Sequence, residues 1–431
     1  MLAVKAVAGG SDCLKGCGRD HLSFRQRLIR SANHEDAETI RRQLMWISGG
    51  RMTLNQSRRV ASLASFTRAC LQRAALRLER IDPGAHRRIK GLRLITAYGI
   101  AAMLGTMGDI TRGLRDGPSL SILAGGFALW ASVSEGRSTR RESSRDLVLL
   151  TAAAAAGAVS FALLAPLLAQ LGHAGPELVL VSGAFCAGYM RRFGLTGTGA
   201  GSQVYIGQLL AYGAALGPGD LYTIAIAAVI AATASVVQRL LSGPAEHPPP
   251  PPPAPPIRPG APPPELAMGL QAAAAALAIV GLNAVFGLVE SAWAITACTY
   301  VIAGSASGTI RRVTHRLIGT TIGVPLGLVF LPLASAMPVL AWAAAALAMV
   351  IYAMALPERY DIACGAYAFT LIVTLAVTGE HSAAILGARA WETLLGGALG
   401  LAAATLLLPL RPLAEGDAAD RSRPSNRNEK D

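Results

Sequence analysis

Two arginine-rich turns carry the side chains best suited to handling an anion. Residues 140–145 read Arg140-Arg141-Glu142-Ser143-Ser144-Arg145, and residues 311–316 read Arg311-Arg312-Val313-Thr314-His315-Arg316. Each follows one apolar run and leads into another, at an offset of 171 (311 minus 140). At the same offset Tyr189 matches Tyr360 and Gly194 matches Gly365. A guanidinium is permanently charged and presents paired donors that fit a carboxylate. The two turns therefore suit the entrance of a path for organic anions, with Arg140, Arg141 and Arg145 as the repeats of Arg311, Arg312 and Arg316. The plainer reading is that they anchor and orient membrane spans.

A second pattern, Arg-x3-Thr-x2-Gly, links Arg316, Thr320 and Gly323 with Arg389, Thr393 and Gly396. Both copies open an apolar run. If these runs point in opposite directions, the three-helix units of the C-terminal half are inverted repeats, as in several transporter folds. Glu392 lies one helical turn from Arg389. An ionisable group inside a span costs a few kcal/mol unless paired or wetted. It reads either as a carboxylate coupled to proton or substrate, or as the partner of Arg389. Gln203 and Gln208 follow Gly197, Gly199 and Gly201 on another apolar run, where an interrupted helix would expose backbone to a substrate. Gln271, Asn283 and Asp361 (beside Arg359) are weaker candidates for the substrate path, and each reads first as an interhelical hydrogen bond or a turn residue. Gly319, Gly323 and Gly327 are four apart, as are Gly396 and Gly400; such strips let helices approach closely in lipid.

Composition fixes the class. Hydrophobic residues make up 52% of 431, only 15% are charged, and mean hydropathy is +0.43. Many windows of about 20 residues lack charge, the length that crosses roughly 30 Å of hydrocarbon. The net charge of +13 does not point to nucleic acid, because the arginines gather at the ends and in short turns. Abundant Ala, Gly and Arg fit a GC-rich bacterial gene. The six cysteines are scattered; Cys13, Cys17 and His21 have a loose metal-like spacing without a fourth ligand, so no metal is expected. No nucleotide loop, zinc motif or nucleophile elbow is present, so neither a cofactor nor an enzymatic activity is expected.

The order of runs is that of an all-α polytopic membrane protein. Residues 1–90 form a basic, cytoplasmic region with an amphipathic helix at roughly 57–81, its arginine face turned to lipid or to the turns. A first half, 91–241, holds spans at 91–110, 117–134, 146–171, 177–190, 197–218 and 220–241. A proline-rich linker, 242–265, favours extended polyproline. A second half, 266–410, holds spans at 266–288, 291–308, 313–333, 336–356, 361–379 and 386–408. A polar tail, 411–431, closes the chain. Twelve spans in two sets of six place both termini and the linker on the arginine-rich, cytoplasmic side.

The stretch 309–333, with its Arg-Arg-x3-Arg turn followed by Leu317-Ile318-Gly319-Thr320-Thr321-Ile322-Gly323, resembles the fusaric acid resistance protein family, also called aromatic acid exporter-like. So do Arg359-Tyr360-Asp361, the run from Arg389 to Gly397, and the closing Leu408-Pro409-Leu410-Arg411. The likeness spans about 290–411 and is weaker over 91–241, where the Gly-Thr-x2-Gly after Arg145 is absent. The resemblance implies a multi-spanning inner-membrane protein that exports small aromatic acids or toxic compounds. Members often carry a sizeable cytoplasmic domain between the halves, where this chain has only prolines.

The expected function is that of a bacterial secondary exporter or export component. Its expected partners are the lipid bilayer and a small organic anion, with a homo-oligomer or a periplasmic adaptor as further possibilities and no nucleic acid. Glu392 is the expected coupling residue. The alternative is a membrane scaffold for envelope assembly that transports nothing.

Overall fold

The computed structural model describes residues 79–107, 117–136, 139–242, 263–356, 358–377 and 383–409, with isolated positions before 79. The chain divides into Met1–Ile81 and Asp82–Asp431, and the elements below belong to the second unit. The expected amphipathic helix at 57–81, the linker at 242–265 and the tail at 411–431 lie almost wholly outside the described residues.

Among the described residues there are twelve α-helices and no strand. They are α1 His86–Thr106, α2 Gly117–Ser134, α3 Arg140–Leu168, α4 Leu178–Tyr189, α5 Gly194–Gly213, α6 Leu221–Leu241, α7 Pro264–Phe286, α8 Ser291–Val301, α9 Ala306–Ala336, α10 Pro338–Ala355, α11 Tyr360–Val377 and α12 Ala383–Leu406. Six helical stretches among the described residues are long and apolar enough to cross a membrane: Arg140–Leu171, Pro218–Leu241, Pro264–Phe286, Ala306–Leu333, Pro338–Ala355 and Tyr360–Val377. Leu120–Ser134 and Ala390–Leu406 are shorter apolar helices.

Local chemistry sets the ends. Thr139 caps α3 by accepting the Glu142 N–H (3.3 Å), and Ser305 caps α9 by accepting that of Gly308 (3.1 Å). Pro264 and Pro338 open α7 and α10, where a missing N–H costs nothing. Gly287 ends α7 at φ 63°, a left-handed conformation that a side chain would oppose. The expected span at 291–308 divides here. Its helix stops at Val301, the Thr309 hydroxyl accepts the Ala303 N–H (3.0 Å), and Ser305 starts α9. Helix also begins at His86, ahead of the expected 91.

Helix pairing follows one scheme twice. In the first six helices α1 packs on α2 and α6, α2 on α6, α3 on α5 and α6, and α4 on α5. In the last six, α7 packs on α8 and α12, α8 on α12, α9 on α11 and α12, and α10 on α11. Across the two sets α4 meets α7 and α1 meets α10, a reciprocal arrangement. Glycines sit at several crossings. A Cβ on Gly323 would lie 2.9 Å from the Gly365 Cα, between α9 and α11; one on Gly157 would lie 3.0 Å from the Val204 Cα, at the corresponding α3–α5 crossing. A Cβ on Gly188 would lie 2.6 Å from the Gly269 Cα, where α4 meets α7. Buried Leu120, Phe127, Phe161 and Ile224 fill the core of the first set.

Candidate functional site

Arg316 projects from α9 beside Tyr360, Cys364 and Tyr367 of α11, within hydrogen-bonding reach of Tyr360. Its charge is also felt by Tyr205 of α5 and by Cys298 and Tyr300 of α8. Its Nε is buried and has no hydrogen-bond partner. Among the described residues no carboxylate pairs with this guanidinium. One turn earlier on the same helix, Arg312 donates from Nη1 to the Ile302 carbonyl (3.1 Å), tying α9 to the segment that follows α8.

A third arginine joins them. Arg191 lies in the short turn after α4, and its Nε is also buried without a partner. Burial, and then the neighbouring Arg312 charge, pull this guanidinium down to about 10, against an opposing pull from Tyr300. It stays protonated at neutral pH. Arg191 and Arg316 thus both lie near Tyr300, Arg312 lies near Arg191, and among the described residues no carboxylate pairs with any of the three; an anion would relieve the repulsion.

Aromatic side chains form the other wall. Trp130 of α2 meets Tyr367 edge-on at 5.5 Å and Tyr352 of α10 at 6.3 Å, while Tyr352 and Tyr367 lie 6.0 Å apart. Trp293 of α8 stands 6.4 Å from Tyr367, and Tyr205 stands 5.9 Å from Tyr300. Hydroxyl pairs fix these rings: Ser202 with Tyr300 (2.7 Å) and Tyr205 with Thr296 (2.8 Å). The cluster draws on both sets of helices. Guanidinium groups bind a carboxylate through two donors, and aromatic rings stack on an aromatic body. The combination suits a small aromatic acid, and in this conformation the rings pack on one another.

The remaining sequence candidates fall elsewhere. Arg140, Arg141, Arg145 and Arg311 are exposed, so the two arginine turns differ in burial even though they match in sequence. Gln203 donates to the Trp130 carbonyl (2.8 Å) and the Ser134 hydroxyl (2.9 Å). Gln208 donates to Ser160 (3.1 Å) and Ser182 (3.0 Å), and Gln271 to the Leu407 carbonyl (2.7 Å). All three tie helices together. Asp361 is bound by Arg359 (2.9 Å) at one end of an apolar groove of about 410 Å³ between α9, α10 and α11, lined by Ile318, Ile322, Leu347 and Phe369. Glu392 is 1% exposed and accepts the Glu290 N–H (2.9 Å). Arg389 lies on α12, with its side chain outside the described residues. Gly319 abuts the Asp361 carbonyl and the Gly365 amide, Gly327 meets Ile372, and Gly396 and Gly400 lie against Ala294 and Cys298 of α8. No group of three or more metal-binding side chains occurs among the described residues.

Sequence reading overlooked Arg191 as a site residue. The one signal was its place after Tyr189, since Tyr189 and Tyr360 share the repeat offset and each lies beside an arginine, Arg192 and Arg316.

Apolar helices of this number and length define a multi-pass helical membrane protein. Residues 274–403 match the family described as fusaric acid resistance protein-like, so the part of the chain from α7 to α12 carries a domain of that family. Arg312, Arg316, Tyr300 and Tyr360 fall inside the matched segment, and Arg191 and Trp130 outside it. No match was found among curated proteins or among solved structures.

Proposed function

We infer that the chain is a bacterial inner-membrane carrier that exports small aromatic carboxylates or related organic anions by secondary transport. The observation that carries this reading is the pair of half-buried arginines with unpartnered Nε atoms, Arg191 and Arg316, with Arg312 beside Arg191, set against Tyr205, Tyr300, Tyr360 and Tyr367. A scaffold has no use for half-buried guanidinium groups without a counter-ion, which lower stability unless a ligand restores the balance.

The repeated pairing scheme supports two related halves of six spans each, with the site between them. An even number of spans in each half makes the repeats parallel, with termini and linker in the cytoplasm. The helices α4 and α8 have 12 and 11 residues. At 1.5 Å per residue each is about 16–18 Å long, short of the roughly 30 Å hydrocarbon core. Turns of 3-10 helix extend α4 at both ends, over 175–193, whereas α8 is followed by the non-helical segment 302–305, and such an interruption exposes backbone groups inside the bundle, as at the substrate sites of many carriers. Passage of a ligand requires the ring contacts to part, which a rocking motion of the halves would supply.

The direct test is uptake of radiolabelled benzoate into inverted membrane vesicles containing the full-length protein, compared with vesicles lacking it. Uptake that Arg316→Gln abolishes supports the reading. No uptake of any member of an aromatic-acid panel by the protein-containing vesicles, together with a deletion strain whose only defect is in the envelope, favours the scaffold.

A further inference from the structure

At the far end of α4 from Arg191 lies a buried carboxylate that the anion site does not use. Glu177, 2% exposed, immediately precedes α4. Its Oε1 accepts hydrogen bonds from the Tyr212 hydroxyl of α5 (2.9 Å), Nδ2 of Asn283 on α7 (2.9 Å) and the Ser291 hydroxyl of α8. Its Oε2 is buried and has no partner. Oδ1 of Asn283, a residue 4% exposed, is likewise buried without a partner. Two acceptors are therefore unsatisfied on two side chains that one hydrogen bond already joins. Buried polar atoms without partners are rare and costly. A carboxylate has no hydrogen to offer, whereas a carboxylic acid has one.

We propose that Glu177 is a proton-binding site whose occupancy couples to transport: an aqueous proton binds Oε2, and the resulting acid donates its O–H to Asn283 Oδ1. Acid and amide then close a pair, Nδ2–H to Oε1 and Oε2–H to Oδ1, so that one proton satisfies both acceptors. Release returns the proton to water and restores the carboxylate. The groups facing this pair are His173, whose Nε2 lies 3.1 Å from the Asn283 carbonyl, Tyr212, and Glu290, with Glu392 behind it on the Glu290 amide. Among the described residues no lysine or arginine pairs with Glu177. The two short helices connect the ends: α4 separates Glu177, just before it, from Arg191, just after it, and α8 carries both Ser291 and Tyr300. A proton bound at one end biases the helices that shape the anion site at the other. The proposal rests on the carrier reading and moves coupling from Glu392 to Glu177.

Infrared difference spectra of the full-length protein in lipid nanodiscs, acidic minus alkaline buffer, test the proton site without transport. A protonated-carboxyl C=O band should appear in wild type, persist in Glu392→Gln and vanish in Glu177→Gln. Its survival in Glu177→Gln, or a response to sodium instead of pH, overturns the proposal. Glu177→Gln keeps the acceptor and places an N–H where the proton would sit, so the fold should hold. If that variant is poorly produced, Asn283→Leu serves: loss of Oδ1 should move the band to higher frequency, and an unmoved band overturns the proposal. In liposomes, benzoate exchange without a gradient should stay within about twofold in Glu177→Gln, while accumulation driven by a pH gradient falls about tenfold or more. Undiminished gradient-driven accumulation overturns the coupling. Absence of exchange in both proteins refutes the carrier reading, and the spectra still decide the proton site.

Discussion

Arg316 concentrates the problem that this molecule has to solve. A guanidinium with a buried, unpartnered Nε and only phenols and a thiol around it is unfavourable unless an anion arrives. A charge-assisted hydrogen bond is worth about 1.5–3 kcal/mol, so Arg316→Gln should weaken benzoate binding by roughly 10- to 100-fold. Quenching of tryptophan fluorescence in detergent, with Trp130 and Trp293 at the site, measures this. Arg316→Lys should recover only part of the loss, because an ammonium lacks the planar two-donor fork. Equal affinity in all three proteins would remove Arg316 from the site. Part of this was legible from residue types. The turn 311–316 stood out because arginine beside an apolar run is costly, but nothing in the sequence separated half-buried Arg316 from the exposed Arg145 that matches it at the offset of 171. Glu177 was passed over altogether. It follows His173-Ala174-Gly175-Pro176, and such a string reads as an exposed loop; only tertiary packing buries the carboxylate among Tyr212, Asn283 and Ser291.

Among the helices, composition was most informative where runs are long and bounded by turn residues. The expected 117–134 and 220–241 match α2 and α6 to within a residue. The break after Val301 was missed because it depends on hydroxyls, Ser305 and Thr309, inside an otherwise apolar stretch. Close helix approach gives a stability prediction. Gly323→Val should cost about 1–3 kcal/mol, since the added Cβ meets backbone that cannot yield. Gly99→Ala, where nothing lies within 4 Å, should instead be neutral or stabilising by up to about 1 kcal/mol. Thermal unfolding in detergent compares the two. The start of α1 yields a pH dependence. Burial by itself would raise the Asp82 carboxyl, but the N–H groups of Arg88 and Arg87 and the Arg88 side chain outweigh it and hold the carboxyl below its ordinary value. A depressed folded value means that the contribution is present above the unfolded value and disappears as pH falls through the folded one. Asp82→Asn should therefore lower the melting temperature at neutral pH, at a cost of about 0.5–2 kcal/mol, and the difference should close as pH falls through the depressed folded value.

For the molecule as a whole, the pairing scheme makes a claim about orientation. The proposed crossing of the membrane by all six helices of each set predicts residues 242–265 on the same side as both termini, and the α1–α2 connection on the other. A reporter that is active only outside the cytoplasm should be silent when fused at residue 250 and active at residue 112; the opposite pattern would break the two-by-six arrangement. Sequence could suggest duplication through the offset of 171 but not the contacts, because glycine and alanine spacing does not say which helix faces which. The reciprocal meeting of α4 with α7 and α1 with α10 has a historical consequence. A six-helix unit that greets its copy through the same two surfaces has the form of a C2 dimer. Once a tether joins such partners in one polypeptide, evolution can edit each separately. An ancestral pair of equivalent sites would then become a single lopsided one.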